Sequence, residues 1–213
     1  MMRSDLLTLL SGDVVDVAPT LLGCVIGHRN ADGYVGVRLT EVEAYKGELD
    51  PGSHSYRGKT ARNSSMFGPA GTLYVYFTYG MHHCVNLVCG DSDSSRGALL
   101  RAGEVVDGVD LATSRRSGRR RSPAPFRSLA RGPACVAQAL GLTLANDGES
   151  VFDDDWSFDL PPQPIDAGRI RSGPRVGLRG PGGDGDQYPW RFWLDGDPTV
   201  SAYKPAAALK PRR

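Results

Sequence analysis

The sequence predicts an α/β chain of the α+β kind, one domain over residues 1–213, built on a mixed, mostly antiparallel β-sheet flanked by short helices. Three observations carry this. Runs of β-branched and aromatic residues, such as TLYVYF at 72–77, alternate with turn-forming stretches. Gly 27 and Pro 15 imply many turns and argue against a helical bundle. A hydrophobic share of 40% in 213 residues is enough for a core, and no segment has the composition of an interdomain linker.

Residues 5–10 read as a short helix, broken at Ser11-Gly12. Asp13 can cap a second helix reaching about Leu22, with Val14, Val17 and Leu21 suited to packing on a sheet. Residues 24–28 form a strand, 30–33 a hairpin turn, and 34–45 the returning strand. The stretch 46–71, rich in Gly, Pro, Ser and Arg, has the composition of a functional loop. Strand 72–77 turns at Tyr79-Gly80-Met81 into an antiparallel partner at 84–89, giving a protruding hairpin. A further strand covers 98–106. Residues 107–131 are rich in arginine, and 132–142 read as a helix with Pro133 at its first position. Residues 146–166 are acidic and Pro-rich. The last strands are expected at 175–178 and 190–194, with a loose tail from Lys204.

The most informative stretch is TEVEAYKGELDPGSH, residues 40–54. Side chains alternate along a strand, so Glu41, Glu43 and Tyr45 share one face. Two carboxylates and a phenol are expensive to bury without a purpose. The turn Asp50-Pro51-Gly52 can return His54 over that face. A carboxylate, an aromatic ring and an imidazole converging on one pocket suit a flat substrate and an activated water. Glu41 has three readings: it supports Glu43 or raises its pKa, it pairs with an arginine, or it joins Glu43 and His54 around a metal.

A net charge of +1 does not announce a polyanionic partner, but the distribution is uneven. Seven arginines, Arg115 and Arg119 among them, fall between residues 114 and 131 with no acid. Such a run is either a solvated loop or a track for phosphates. Gly132-Pro133, opening a helix, offers backbone N–H groups to a phosphate as well. Cys24, Cys84, Cys89 and Cys135 show neither CxxC nor zinc spacing and read as reduced thiols, mostly buried. No signal peptide or long apolar run is present, so a soluble, intracellular protein that is not secreted and has no membrane partner is expected.

Five motifs in order, TEVEAYKGELDPGSHS, ARNSSMFGPAGTLYVYFTYGMHHCVN, GALLRAGEVVDG, ARGPACVAQALGL and RSGPRVGL, carry a resemblance to the alkyladenine (methylpurine) DNA glycosylases, over about residues 18–201. The resemblance implies a curved antiparallel sheet and a base-flipping enzyme that excises alkylated or deaminated purines (3-methyladenine, 7-methylguanine, hypoxanthine) from duplex DNA. It implies a monomer needing neither metal nor organic cofactor, working in the cytoplasm at the nucleoid if bacterial and in the nucleus if eukaryotic. By the same resemblance Glu43 is the water-activating carboxylate. Tyr45, His54 and Tyr76 belong to the base pocket, and Asn86 and Arg101 are further pocket residues. Tyr79 is the intercalating tyrosine, and Met81 beside it touches DNA. Cys135 stands where the family commonly has a lysine, and His82 and His83 where it has aromatic or apolar residues.

Two rivals come from other classes. A non-catalytic nucleic-acid-binding module would bind modified duplex without releasing base. A metallohydrolase using Glu41, Glu43 and His54 would lose activity to a chelator.

Overall fold

The computed structural model describes residues 3–78, 80–92, 94–118 and 122–206. Two short helices, α1 (Arg3–Leu10) and α2 (Val14–Thr20), precede the sheet. The strands are β1 (Val25–Asn30), β2 (Gly33–Tyr45), β3 (Leu73–Thr78), β4 (His82–Val88), β5 (Gly97–Asp107), β6 (Ala130–Arg131), β7 (Trp156–Asp159), β8 (Ile170–Gly173) and β9 (Arg191–Leu194). Two more helices, α3 (Val109–Ser117) and α4 (Pro133–Leu140), lie between β5 and β7. The strand order is β3-β4-β5-β2-β1-β7, with β6 beside β5, β9 beside β2 and β8 beside β9. Every pairing of these strands is antiparallel.

The 13-residue β2 is the spine. Its first half pairs with β1, its second half with β9, and β5 runs along its other edge. Register shifts interrupt the β2–β5 ladder at Gly36/Val37 and on both sides of Glu41, which is how a sheet bends. Between Ala102 and Leu100, both paired with β2, Arg101 has no opposite residue there. Helix α4 packs on β4 and β5, and α2 on β2. Ile26, Val37, Leu39, Leu73, Val85, Leu87 and Leu100 are fully buried in the resulting core.

Local chemistry explains the ends of the helices. Asp13 accepts the Val15 N–H at 3.0 Å and caps α2. That helix stops at Thr20, two residues short of the expected end, after Pro19, which has no N–H to donate. Pro133 opens α4, and Gly141, at φ 73°, closes it in the left-handed conformation.

Other expectations are corrected. Residues 175–178 are not a strand: β8 stops at Gly173, because Pro174 cannot donate to a ladder and Gly177 has φ 74°. The acidic stretch hides β7, where Trp156 and Phe158 turn inward on the edge of β1. The arginine-rich segment begins as helix α3. Of the tail expected to be loose, the Lys204 carbonyl accepts the Gly177 N–H at 3.2 Å, and residues 207–213 lie outside the described residues. Among the described residues no helix is long and apolar enough to cross a membrane.

Gly103 on β5 shows how tightly the bulged region is packed. A Cβ there would sit 2.5 Å from the Arg38 carbonyl oxygen and 2.5 Å from Val37. Backbone cannot yield as a flexible side chain does. Gly103→Ala is therefore expected to cost roughly 1–3 kcal/mol, read as a lowered melting temperature; an unchanged melt would mean that the strands part there freely.

Candidate active site

Glu43, near the end of β2, is fully buried. Such a carboxylate needs donors, and it has them. The Val176 N–H donates to Oε1 at 2.7 Å, and the Tyr45 hydroxyl donates to Oε2 at 2.8 Å. The Arg101 Nε lies 3.5 Å from Oε1. Tyr45 follows Glu43 by two residues, so both face the same side of β2. Burial, and then the neighbouring Glu43 carboxylate, hold the Tyr45 phenol well above its ordinary pKa, so it remains a protonated donor.

Arg101 reaches this cluster from the bulge on β5. Its Nε donates to Glu41 Oε1 at 2.8 Å. Glu41, fully buried, also accepts from Arg191 Nε at 2.6 Å, Ser201 Oγ at 3.0 Å and Ser201 N at 2.7 Å. Of the three readings of Glu41, arginine pairing is the one the structure shows. Both of its oxygens are committed, and its effect on Glu43 runs through Arg101. Among the described residues no three His, Cys, Asp or Glu side chains gather as metal ligands.

Glu43 opens on a cavity of about 320 Å³, within the usual range for small-molecule pockets. Tyr45, His54, Tyr74, Tyr76, Asn86 and Arg101 line it, with Met66, Cys84, Pro133 and the turn 176–178. Glu43 is the only carboxylate among these lining residues. Tyr74 and Tyr76, two apart on β3, stack with centroids 5.3 Å apart and planes 21° from parallel. His54 meets Tyr76 edge-on at 4.6 Å, and its Nδ1 lies 3.2 Å from the Tyr74 hydroxyl. Burial, with Arg62 nearby, lowers the His54 pKa, favouring a neutral imidazole. Burial raises the phenols too, Tyr74 to about 12. The loop is braced so that His54 keeps this place: buried Asn63 donates to the His54 and Gly58 carbonyls, each at 3.1 Å. Asn86 sits buried on β4, opposite Leu99 and Tyr74.

The structure thus brings Glu43, Tyr45, His54, Tyr76, Asn86 and Arg101 together. Met81 stands apart, 70% exposed at the hairpin tip, beside a shallow groove lined by His82, His83 and Gln138. Gly132 caps α4 with φ 116°, and Pro133 next to it touches the cavity. Tyr79 and Arg119 lie outside the described residues.

Arg115, expected at a phosphate, is engaged within the fold. Its guanidinium donates to the Ala139 carbonyl at 3.0 Å and Asn30 Oδ1 at 2.8 Å, so it closes the end of α4. Arg116 is buried on Gln138, and Arg131 donates to the Val200 carbonyl. The exposed cations near His54 are instead Arg57, Lys59 and Arg62, on the loop that follows it.

Sequence reasoning missed Tyr74, the Val176 N–H, Arg191, Ser201 and the buried pair Arg175–Asp50. Tyr74 had a signal: it is two residues from Tyr76 on one strand, hence on the same face. Arg191 opens β9, where alternation gives a face but not a partner, and the rest come from turns and the C-terminal segment, where no periodicity aims a side chain.

A ring-walled cavity with one buried, donor-held carboxylate on its wall, set beside a projecting hairpin on a bent antiparallel sheet, is laid out as an enzyme site. More particularly, the chain belongs to the methylpurine-DNA glycosylase (MPG) family, whose model matches residues 8–198. It is 50% identical over 202 residues to a Streptomyces avermitilis protein named "Putative 3-methyladenine DNA glycosylase", covering 94% of this chain and 90% of that one. Proteins of the same name from Leifsonia xyli and Corynebacterium glutamicum are 50% and 45% identical, over 89% and 87% of this chain and 88% and 90% of theirs.

Proposed function

We propose that this chain is a monofunctional DNA glycosylase of base excision repair that hydrolyses the N-glycosidic bond of alkylated or deaminated purines flipped out of duplex DNA. The observation that carries the reading is Glu43, held by Tyr45 and Val176 on the wall of an aromatic cavity that has no second carboxylate among its lining residues. Glycosidases normally need an acid and a base. A purine alkylated at N3 or N7 is cationic, and it leaves as a neutral base once the C1′–N bond breaks, so no acid is required; a neutral deaminated purine leaves as its anion and takes up a proton, balanced by the one that the attacking water gives up. One carboxylate then takes a proton from water as the oxygen joins C1′, and its charge stabilises the oxocarbenium-like sugar. Tyr45 and Tyr76 offer electron-rich rings to a cationic base. His54 is a hydrogen-bond partner, and Asn86 is a gate against the guanine amino group.

A base must leave the stack to reach such a pocket. The hairpin β3–β4, with Met81 exposed at its tip, is suited to fill the gap, as minor-groove wedges do. Arg57, Lys59, Arg62 and the N–H groups at Gly132 would meet phosphates. We take the whole chain as one such domain, acting as a monomer without metal or cofactor. The relatives named above are bacterial, and that supports a place of action in the cytoplasm, at the nucleoid.

The test is incubation of the protein with methylated duplex in EDTA, with analysis of released purines and of the strand. Free 3-methyladenine and 7-methylguanine, an uncut abasic strand and no borohydride-trapped adduct are expected. Binding without release would favour a plain DNA-binding module. Loss of activity to the chelator would favour a metallohydrolase, and a trapped adduct would end the water mechanism.

A further inference from the structure

We infer that Arg175 is a positioning residue: its buried guanidinium joins the three segments that surround Glu43 and backs the Tyr45 ring. The inference rests on Glu43 being the water-activating carboxylate.

Arg175 is among the largest fully buried side chains of the protein. Its Nη1 donates to the Ala44 carbonyl at 2.8 Å and Asp50 Oδ2 at 2.5 Å. Its Nη2 donates to Asp50 Oδ1 at 2.7 Å and the Gly182 carbonyl at 2.9 Å. Each contact lies on a segment that serves the cavity. Ala44 sits between Glu43 and Tyr45. Asp50 begins the turn that delivers His54, and it also accepts the Lys46 and Gly52 N–H groups. Gly182 closes the loop that starts at Arg175 itself, whose next residue, Val176, donates to Glu43. The guanidinium also lies over the Tyr45 ring at 4.5 Å, with Trp190 and Tyr188 at 5.3 and 5.8 Å.

Stability alone is a poor reason for this arrangement. A buried ion pair seldom improves on a well-packed apolar pair. This one also leaves Arg175 Nε without an acceptor, at a cost. Gly52 is part of the fit, since a Cβ there would lie 2.6 Å from Nη2. The flat fork does what no lysine can: it binds a carboxylate with two prongs and two carbonyls besides. Burial works against its charge, but the Asp50 hydrogen bonds outweigh that and hold it cationic.

The test compares Arg175→Lys, which keeps the charge and loses the fork, with the double variant Arg175→Gln/Asp50→Asn, which loses both charges and leaves neither alone. Single-turnover release of 7-methylguanine is measured per folded molecule, with duplex binding and melting temperature measured alongside. Both variants are expected to lose at least about tenfold in rate, the scale of a small misplacement of reacting groups, with lesion binding retained. A wild-type rate in either folded variant overturns the inference, and so does loss of rate only in proportion to loss of folded protein. If the double variant does not fold, the Lys variant decides. Glu43→Gln separates the two levels: if it stays active, the catalytic reading fails; if it is inactive while Arg175 variants behave as wild type, only the positioning inference falls.

Discussion

Glu43→Gln is expected to lower base release by about 10²–10⁴-fold, the range for a lost general base, while lesion DNA still binds. Glutamine keeps the size of the side chain and cannot take a proton from water. It also removes the negative charge facing the oxocarbenium-like sugar, which can deepen the loss. The site should survive the change. The amide oxygen can accept the Val176 N–H, and the Tyr45 hydroxyl can turn its hydrogen and accept from the amide NH₂ in place of donating. Binding should not suffer, because a carboxylate near phosphates does little for affinity. Single-turnover release of purine and equilibrium binding, measured on the same duplex, check this. Near wild-type release by Glu43→Gln beside a dead but folded Glu41→Gln would place the chemistry on the wrong carboxylate of the right strand.

Glu41→Gln is expected to act mainly on stability. Four donors converge on this buried carboxylate: Arg101 Nε, Arg191 Nε, and the N–H and hydroxyl of Ser201. An amide presents one oxygen and one NH₂, so at least one of them must face a donor. Arg191 would lose its counter-charge in the interior, and Arg101 would keep only Glu43, 3.5 Å away. Breaking a buried pair in this way costs roughly 3–5 kcal/mol. For a chain of this size each kcal/mol is worth about 2–4 °C, so the melting temperature should fall by roughly 6–20 °C. Per folded molecule, base release should fall less than in Glu43→Gln, because Glu41 touches the reaction only through Arg101. A melting temperature within about 2 °C of wild type would mean that the cluster is hydrated and its bonds are weak.

Much of the fold was legible in the sequence. The aromatic and β-branched run at 72–77 and the alternation along 34–45 signal strands by themselves, and the Gly-containing turn at 79–81 joins two of them into a hairpin. The pairing of Glu43 with Tyr45 follows from a period of two. His54 was legible through its turn residues. Helix α3 was not, because it is short, opens at Gly108 without a side-chain cap and runs into the arginines from Arg115 on, and β7 was hidden by the acidic residues around it.

The limit is set by sequence distance. Local periodicity aims a side chain at a face, so the sequence by itself determined a mostly antiparallel sheet, the hairpin, and the side of β2 that carries Glu43, while the register shifts that bend the sheet came only with the structure. It could not choose the partner across that face. Glu41 meets Arg191 and Ser201, 150 and 160 positions away, and Asp50 meets Arg175, 125 positions away. Arg115, which composition offered to DNA, was claimed by a carbonyl of α4. An arginine has the same charge on a phosphate track, in a buried ion pair or at a helix end. Which role it takes depends on the desolvation and the acceptors it finds once the chain has closed, and only the tertiary structure decided that.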